Sequence, residues 1–190
     1  METIGAILAG GKSSRMGQDK AHLLVAGETI LVRTARRLYT ATGETPLVIG
    51  RDGDDFVALF LPDDAPDLGP IGGLQTALRY ADNRAIVVVS CDMPALTADA
   101  IGWLLARERG EYGAVVRNGE QLEPLFAVYT PACAPLIAAN IVAGRRSLHA
   151  PIHAGGGGFT IHDAPRFVAD ALTNVNTPQE WDAFVANTAL

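Results

Sequence analysis

Continuous apolar stretches alternate along this chain with stretches whose apolar positions recur every three or four residues. That alternation predicts strands interleaved with helices of about ten residues. Thr3 to Ala9 is mostly apolar and runs into Gly10-Gly11, a buried strand ending in a loop. Thr29 can cap a helix whose Ile30, Leu31, Thr34, Ala35 and Leu38 share one face, with Arg33, Arg36 and Arg37 pointing elsewhere. Pro46 to Gly50 reads as a second strand and Phe56 to Leu61 as a third. Gly69-Pro70 opens a helix with Ile71, Leu74 and Leu78 at core spacing. Ala85 to Ser90 is the clearest strand, because Ile86-Val87-Val88-Val89 is apolar without interruption, as a strand covered on both faces must be.

Farther along, Thr97 to Arg107 is helical, Gly113 to Arg117 and Leu122 to Tyr129 are strands, and Thr130-Pro131 opens a helix reaching about Ala143. Gly155 to Gly158 reads as a flexible turn and Phe167 to Asn176 as a last strand region. Thr177-Pro178-Gln179-Glu180 has the form of a capping box, starting a closing helix that carries Trp181, Phe184 and Val185. The pattern predicts an α/β fold: a single three-layer, Rossmann-like domain over residues 1–190, with a mostly parallel sheet covered by helices on both faces. Ligands are expected at the carboxyl ends of its strands.

Composition narrows the function. With 190 residues and 48% hydrophobic content the chain can bury a core. Its apolar runs are far shorter than the roughly 20 residues of a membrane helix, and Met1-Glu2-Thr3 lacks the basic start of a signal peptide, so a cytoplasmic protein is expected. A net charge of -6 argues against nucleic acid and anionic membranes as partners, but not against a small phosphorylated ligand held by local donors. Cys91 and Cys133 lie in apolar settings and read as core thiols. His22, His149, His153 and His162 show no ligand spacing, so no zinc site is expected.

The segment from Leu8 to Lys20 brings three glycines, two serines and three cations directly after a strand. Glycines let backbone N–H groups approach a phosphate, and Lys12, Arg15 and Lys20 can neutralise its oxygens. The alternative is a surface loop that happens to be rich in glycine. Gly11-Lys12-Ser13 fits the end of a Walker A loop, but Ala6 stands where its first glycine is required. A G-x-G-x-x-G fingerprint fails as well, since the glycine after Gly10-Gly11 is Gly17. Asp92 stands where the Ala85 to Ser90 strand ends; alone it could be a turn former, and beside a phosphate loop it could hold Mg²⁺.

The string Leu8-Ala9-Gly10-Gly11-Lys12-Ser13-Ser14-Arg15-Met16-Gly17-Gln18-Asp19-Lys20 closely resembles the L-A-G-G-x-S-x-R-M-G-x-D-K signature of molybdenum cofactor guanylyltransferases. Cys91-Asp92-Met93-Pro94 is similar to the family's C-D-x-P element, whose Asp binds the metal. Asp63 and Gly69-Pro70-Ile71-Gly72-Gly73 resemble its nucleotide-contacting segment. Glu123-Pro124-Leu125 and Gly144-Arg145-Arg146 look like later elements, and Asn174-Val175-Asn176-Thr177-Pro178 resembles the N-x-N-T-P ending near the pterin. Each has a structural alternative: Arg145 and Arg146 could complement a helix C-terminus, Asn174 and Asn176 could organise a turn, Asp63 could lie in a solvated loop, and Gly69 to Gly73 could serve close packing. Glu123 departs from the pattern, where Gln is commoner, and Gly155 to Gly158 matches no motif.

The resemblance implies that the terminal phosphate of molybdenum-molybdopterin attacks the α-phosphorus of GTP and pyrophosphate leaves. The implied nucleotide site is Leu8, Ala9, Gly10, Gly11, Lys20, Asp63, Gly69, Gly73 and Asp92, with Arg15, Lys20 and Asp92 catalytic and Asp92 holding Mg²⁺. Arg145, Arg146, Asn174 and Asn176 would meet the second substrate. Partners implied are GTP, molybdenum-molybdopterin and, transiently, cofactor-delivering or molybdoenzyme proteins. Alternatives are cytidylyl transfer to the same cofactor, nucleotidyl transfer to a sugar phosphate, or a nucleotide-binding regulatory module without turnover.

Overall fold

A computed structural model describes residues 2–10, 20–25, 27–53, 57–175 and 177–188. Strand β1 (Thr3–Leu8) opens the chain; β2 (Leu24–Val25) and β3 (Glu28–Thr29) form a short antiparallel hairpin that leads into helix α1 (Ile30–Thr42). Then follow β4 (Leu47–Ile49), β5 (Leu59–Leu61), α2 (Pro70–Tyr80), β6 (Ala85–Ser90), α3 (Ala98–Leu105), β7 (Gly113–Asn118) and β8 (Gln121–Tyr129). The last elements are α4 (Ala134–Val142), α5 (His149–Gly155), β9 (Phe159–Asp163), α6 (Arg166–Ala171) and α7 (Pro178–Thr188).

The main sheet has seven strands in the order β5-β4-β1-β6-β8-β7-β9. All its neighbours pair in parallel except at β8, which runs antiparallel to both β6 and β7. The β6 run is covered on both sides, as its apolar continuity predicts. Val87 and Val89 pack with Leu31, Leu38, Ile101, Leu104 and Val168, from α1, α3 and α6. Ile86 and Val88 face the opposite layer, with Ile71, Leu74, Ile137 and Ile152 of α2, α4 and α5. A fully buried side chain of this kind stabilises by about 1.5–3 kcal/mol relative to exposure, so this strand anchors both layers.

Local signals behave as their chemistry requires. The Thr29 hydroxyl accepts from Val32 N at 3.3 Å, and Ile30, Leu31, Thr34, Ala35 and Leu38 are the buried face of α1. The capping box closes reciprocally: Glu180 N donates to Thr177 Oγ1 at 3.2 Å and Thr177 N donates to Glu180 Oε2 at 3.1 Å. Cys91 and Cys133 are both buried, and burial pushes the Cys133 thiol up to about 12. Among the described residues no helix is long and apolar enough to cross a membrane.

Two expectations are corrected. In the region expected as a last strand, residues 167–175 form none: Val168, Ala171 and Leu172 are buried at helical spacing, and α6 starts after Pro165, whose extended backbone sets the entry. The sheet's last strand lies earlier, at β9, an edge strand with Ile161 exposed and hence only weakly apolar in pattern. Gly155 to Gly158 is not a free turn either; Gly155 ends α5, and Gly158 O accepts from Tyr112 N at 2.7 Å.

Candidate active site at the carboxyl edge of the sheet

In the parallel ladders Leu8 pairs with both Ile49 and Ser90, so β1, β4 and β6 end level with one another. The chain leaving β1 stays against β4, because Ala9 N donates to Ile49 O at 3.0 Å. Gly50 then turns at φ +83, and a Cβ there would lie 2.8 Å from Gly10 Cα. The backbones of Gly10 and Gly50 therefore approach closely, and Gly50 is the one with no room for a side chain. Asp63 Cβ lies 3.6 Å from the same point, so the end of β5 joins them.

The Asp63 carboxylate fastens this edge to α2. Its Oδ1 accepts from Ala65 N at 2.9 Å and from the buried Thr76 hydroxyl at 3.2 Å. Gly69, at φ +67, precedes Pro70 at the first turn of α2. A Cβ on Gly73 would sit 3.3 Å from Leu8 Cδ2 and 3.8 Å from Ile49 Cγ2, so α2 starts close against β1 and β4. Its positive dipole end lies at the edge where an anion is expected.

Asp92 follows β6. It is half-buried, and its Oδ1 is buried without a hydrogen bond from any described residue. The surrounding backbone is held from two sides: Arg37 Nη1 donates to Pro94 O at 3.0 Å, and Val175 N donates to Asp92 O at 3.0 Å. The second bond brings the Asn174 stretch to Asp92, with the Asn174 side chain exposed. Burial, and then repulsion from Arg33, hold the Arg37 pKa below the ordinary arginine value.

Glu123 reaches the same place from the opposite direction. The β6–β8 ladder runs to Val89 opposite Phe126, so the first residues of β8 lie toward the carboxyl edge. On its other side β8 bulges: Val115 pairs with Ala127 and Val116 with Glu123, leaving Pro124, Leu125 and Phe126 between. The buried Tyr129 hydroxyl, its pKa raised by burial, donates to Pro124 O at 2.8 Å across this bulge. Burial first and the Asp92 charge second raise the Glu123 carboxyl above the usual glutamate range. The Asp92 carboxylate offers oxygen donors of the kind a hard divalent cation prefers. Among the described residues no three His, Cys, Asp or Glu side chains gather.

The remaining expected site residues divide. Arg146 is exposed and donates to Asp67 O at 2.7 Å, beside the entry to α2. Arg145 turns back to α4, donating to Asn140 Oδ1 at 3.3 Å. Gly11, Arg15 and Asn176 lie outside the described residues, as does the side chain of Lys20, whose backbone opens a short 3-10 turn. Gly50, Arg37, Thr76 and Tyr129 went unmarked in the sequence reading. Only Gly50 carried a signal, a glycine closing the buried run Leu47-Val48-Ile49.

Residues 5–155 match the family model described as MobA-like NTP transferase domain. The chain is 35% identical over 188 residues to a molybdenum cofactor guanylyltransferase of Xanthomonas euvesicatoria pv. vesicatoria, covering 95% of this chain and 93% of that protein. Among solved structures it resembles molybdopterin-guanine dinucleotide biosynthesis protein A of Archaeoglobus fulgidus, with a TM-score of 0.78 at 20% identity over 97% of this chain and 98% of that one. It also resembles 2-C-methyl-D-erythritol 4-phosphate cytidylyltransferase of Thermus thermophilus, with a TM-score of 0.71 at 17% identity over 100% of both chains. The two structural likenesses carry the fold alone.

Gly50→Ala is expected to weaken nucleoside triphosphate binding by calorimetry, because a Cβ at φ +83 would push against Gly10 Cα; an unchanged affinity would place the nucleotide elsewhere. Glu123→Gln should raise the thermal midpoint at neutral pH in buffer free of divalent ions. With a raised folded-state pKa, stability is intact below the unfolded glutamate value and is lost as pH rises through the folded one. The advantage of the variant should therefore vanish in acid, and no advantage at neutral pH would contradict the coupling.

Proposed function

The chain belongs to the MobA-like NTP transferase family and is a nucleotidyltransferase, and from that premise we propose that it transfers GMP from GTP to the terminal phosphate of molybdenum-molybdopterin, releasing pyrophosphate. The observation that carries the reading is the Asp92 carboxylate, with a buried oxygen lacking a hydrogen bond from the described residues, at the edge where Gly10 and Gly50 touch. Guanine and molybdopterin rest on the relative from Xanthomonas and on the motifs.

The residues divide the work as follows. Leu8, Ala9, Gly10 and Gly11 offer backbone to the nucleotide, and Asp63, Gly69 and Gly73 set the adjoining wall. Arg15 and Lys20 meet phosphate oxygens. Asp92 holds Mg²⁺, which when bound neutralises charge on the α-phosphate and the departing pyrophosphate. Arg146, beside the Asp67 to Gly69 loop, and the asparagine stretch bonded to Asp92 flank the acceptor phosphate; Arg145 contributes from behind, through α4. The attacking phosphate is already anionic at neutral pH, so no side chain has to remove a proton. Rate acceleration comes from alignment and from fixed donors at the site of charge change.

Pyrophosphate release and nucleotide transfer, measured with GTP or CTP and with molybdenum-molybdopterin or a sugar phosphate, test the proposal. Release is expected with GTP and molybdenum-molybdopterin together. Asp92→Ala should lower that rate by about 100-fold or more, as loss of one preorganised electrostatic group does, with the thermal midpoint preserved. Preferred transfer of CMP or onto a sugar would overturn the assignment, and no release with any pair would indicate a binding module.

A further inference from the structure

Asp92 stands on a turn between β6 and α3, so its carboxylate is aimed only as well as that turn is held. We propose that Arg37 of α1 is a positioning residue for Asp92: its guanidinium fixes the Pro94 carbonyl and, through it, the backbone that carries the metal carboxylate. This inference rests on the reading of Asp92 given above.

The turn is built into the layer of α1, α3 and α6. Cys91, Met93 and Leu96 are buried there with Leu31, Ala35 and Leu38 of α1 and Ile101 and Leu104 of α3, and Leu96 N donates to Met93 O at 3.1 Å. Asp92 is only half-buried and lacks that anchorage through its side chain. Its backbone is held on either side instead. Val175 N donates to Asp92 O at 3.0 Å, and Arg37 Nη1 donates to Pro94 O, two residues on, at 3.0 Å.

Arg37 is suited to this work because α1 presents it from a rigid seat. Leu38, the next residue, is fully buried, and Gly5 of β1 leaves it room: a Cβ at Gly5 would lie 2.9 Å from Leu38 Cβ. The helix therefore rests directly on β1, the strand that leads to Gly10. Stability alone gives little reason for a guanidinium here. Arg37 is half-buried, the Arg33 charge opposes it, and Glu28 pairs with Arg36 at 2.6 Å. Among the described residues no carboxylate forms an ion pair with Arg37, and a desolvated cation without one is costly. What the guanidinium adds is a directional, charge-assisted hold on Pro94 O.

Calorimetry of GTP binding without acceptor, once with Mn²⁺ and once with EDTA, reads the hold on the metal apart from transfer. The unaltered chain should bind GTP more tightly with Mn²⁺, and Asp92→Ala should erase that preference. Arg37→Met keeps the apolar stem and removes the donors; it should cut the preference about tenfold, the low end of what groups behind a metal ligand contribute, and leave the affinity in EDTA unchanged. Arg37→Lys keeps a charged donor and should retain more of the preference than Arg37→Met. A merely structural arginine would lower the thermal midpoint and leave the preference intact. Preference lost in Asp92→Ala but unchanged in Arg37→Met overturns the role of Arg37 and leaves the reading of Asp92 standing. An equal fall in affinity with Mn²⁺ and with EDTA in Arg37→Met overturns that role as well, and no preference in the unaltered chain overturns both.

Discussion

Parallel pairing of β1 with β6, unbroken from Thr3 opposite Ala85 to Leu8 opposite Ser90, is the constraint on which the site depends. Both strands are buried against two helical layers, so a slip of one residue would turn every side chain to the wrong layer. The register is thereby fixed by packing. Fixing it ends both strands at one level, with Ala9 and Gly10 following Leu8 and Cys91 and Asp92 following Ser90. β4 extends the same edge, with Gly10 and Gly50 in backbone contact and Asp63 tying the edge to α2.

The single reversed strand has a consequence that a wholly parallel sheet would lack. Because β8 runs against β6, its beginning rather than its end lies at the carboxyl edge, and Glu123 arrives there ahead of the core residues of its own strand. The local cost is evident in the chemistry: burial and then the Asp92 charge raise the Glu123 carboxyl, and Asp92 Oδ1 goes without a donor from the described residues. Arg37 contributes from outside the reacting region by holding the carbonyl of Pro94, which keeps the turn after Asp92 in place.

Elements whose signal is local were legible in the sequence. The valine run of β6, the Thr29 cap and the Thr177–Glu180 capping box each depend on residues within one or two turns, and each forms as its side-chain chemistry demands. The errors fall where the pattern is ambiguous. Phe167 to Leu172 is a short apolar run compatible with strand or helix, and β9 shows an exposed Ile161 because it lies at the sheet edge. Pairing between distant segments leaves no local trace, so the reversal of β8, its bulge, the contact of Gly10 with Gly50 and the reach of Tyr129 to Pro124 emerge only in three dimensions. The motif residues Asp63, Asp92 and Asn174 could be named from the string, but the split of Arg145 from Arg146 could not, since it depends on what each guanidinium finds nearby.

The central claim is that the carboxyl edge of β1, β4 and β6 holds the nucleotide. Hydrogen–deuterium exchange of the full chain, with and without GTP and Mg²⁺, tests it most directly. The account predicts slowed exchange in the peptides that carry Leu8 to Lys20, Gly50, Asp63 to Gly73 and Cys91 to Pro94. Slowed exchange confined to the groove between α2 and α4, lined by Gln75, Leu78, Pro135 and Ala138, would contradict it.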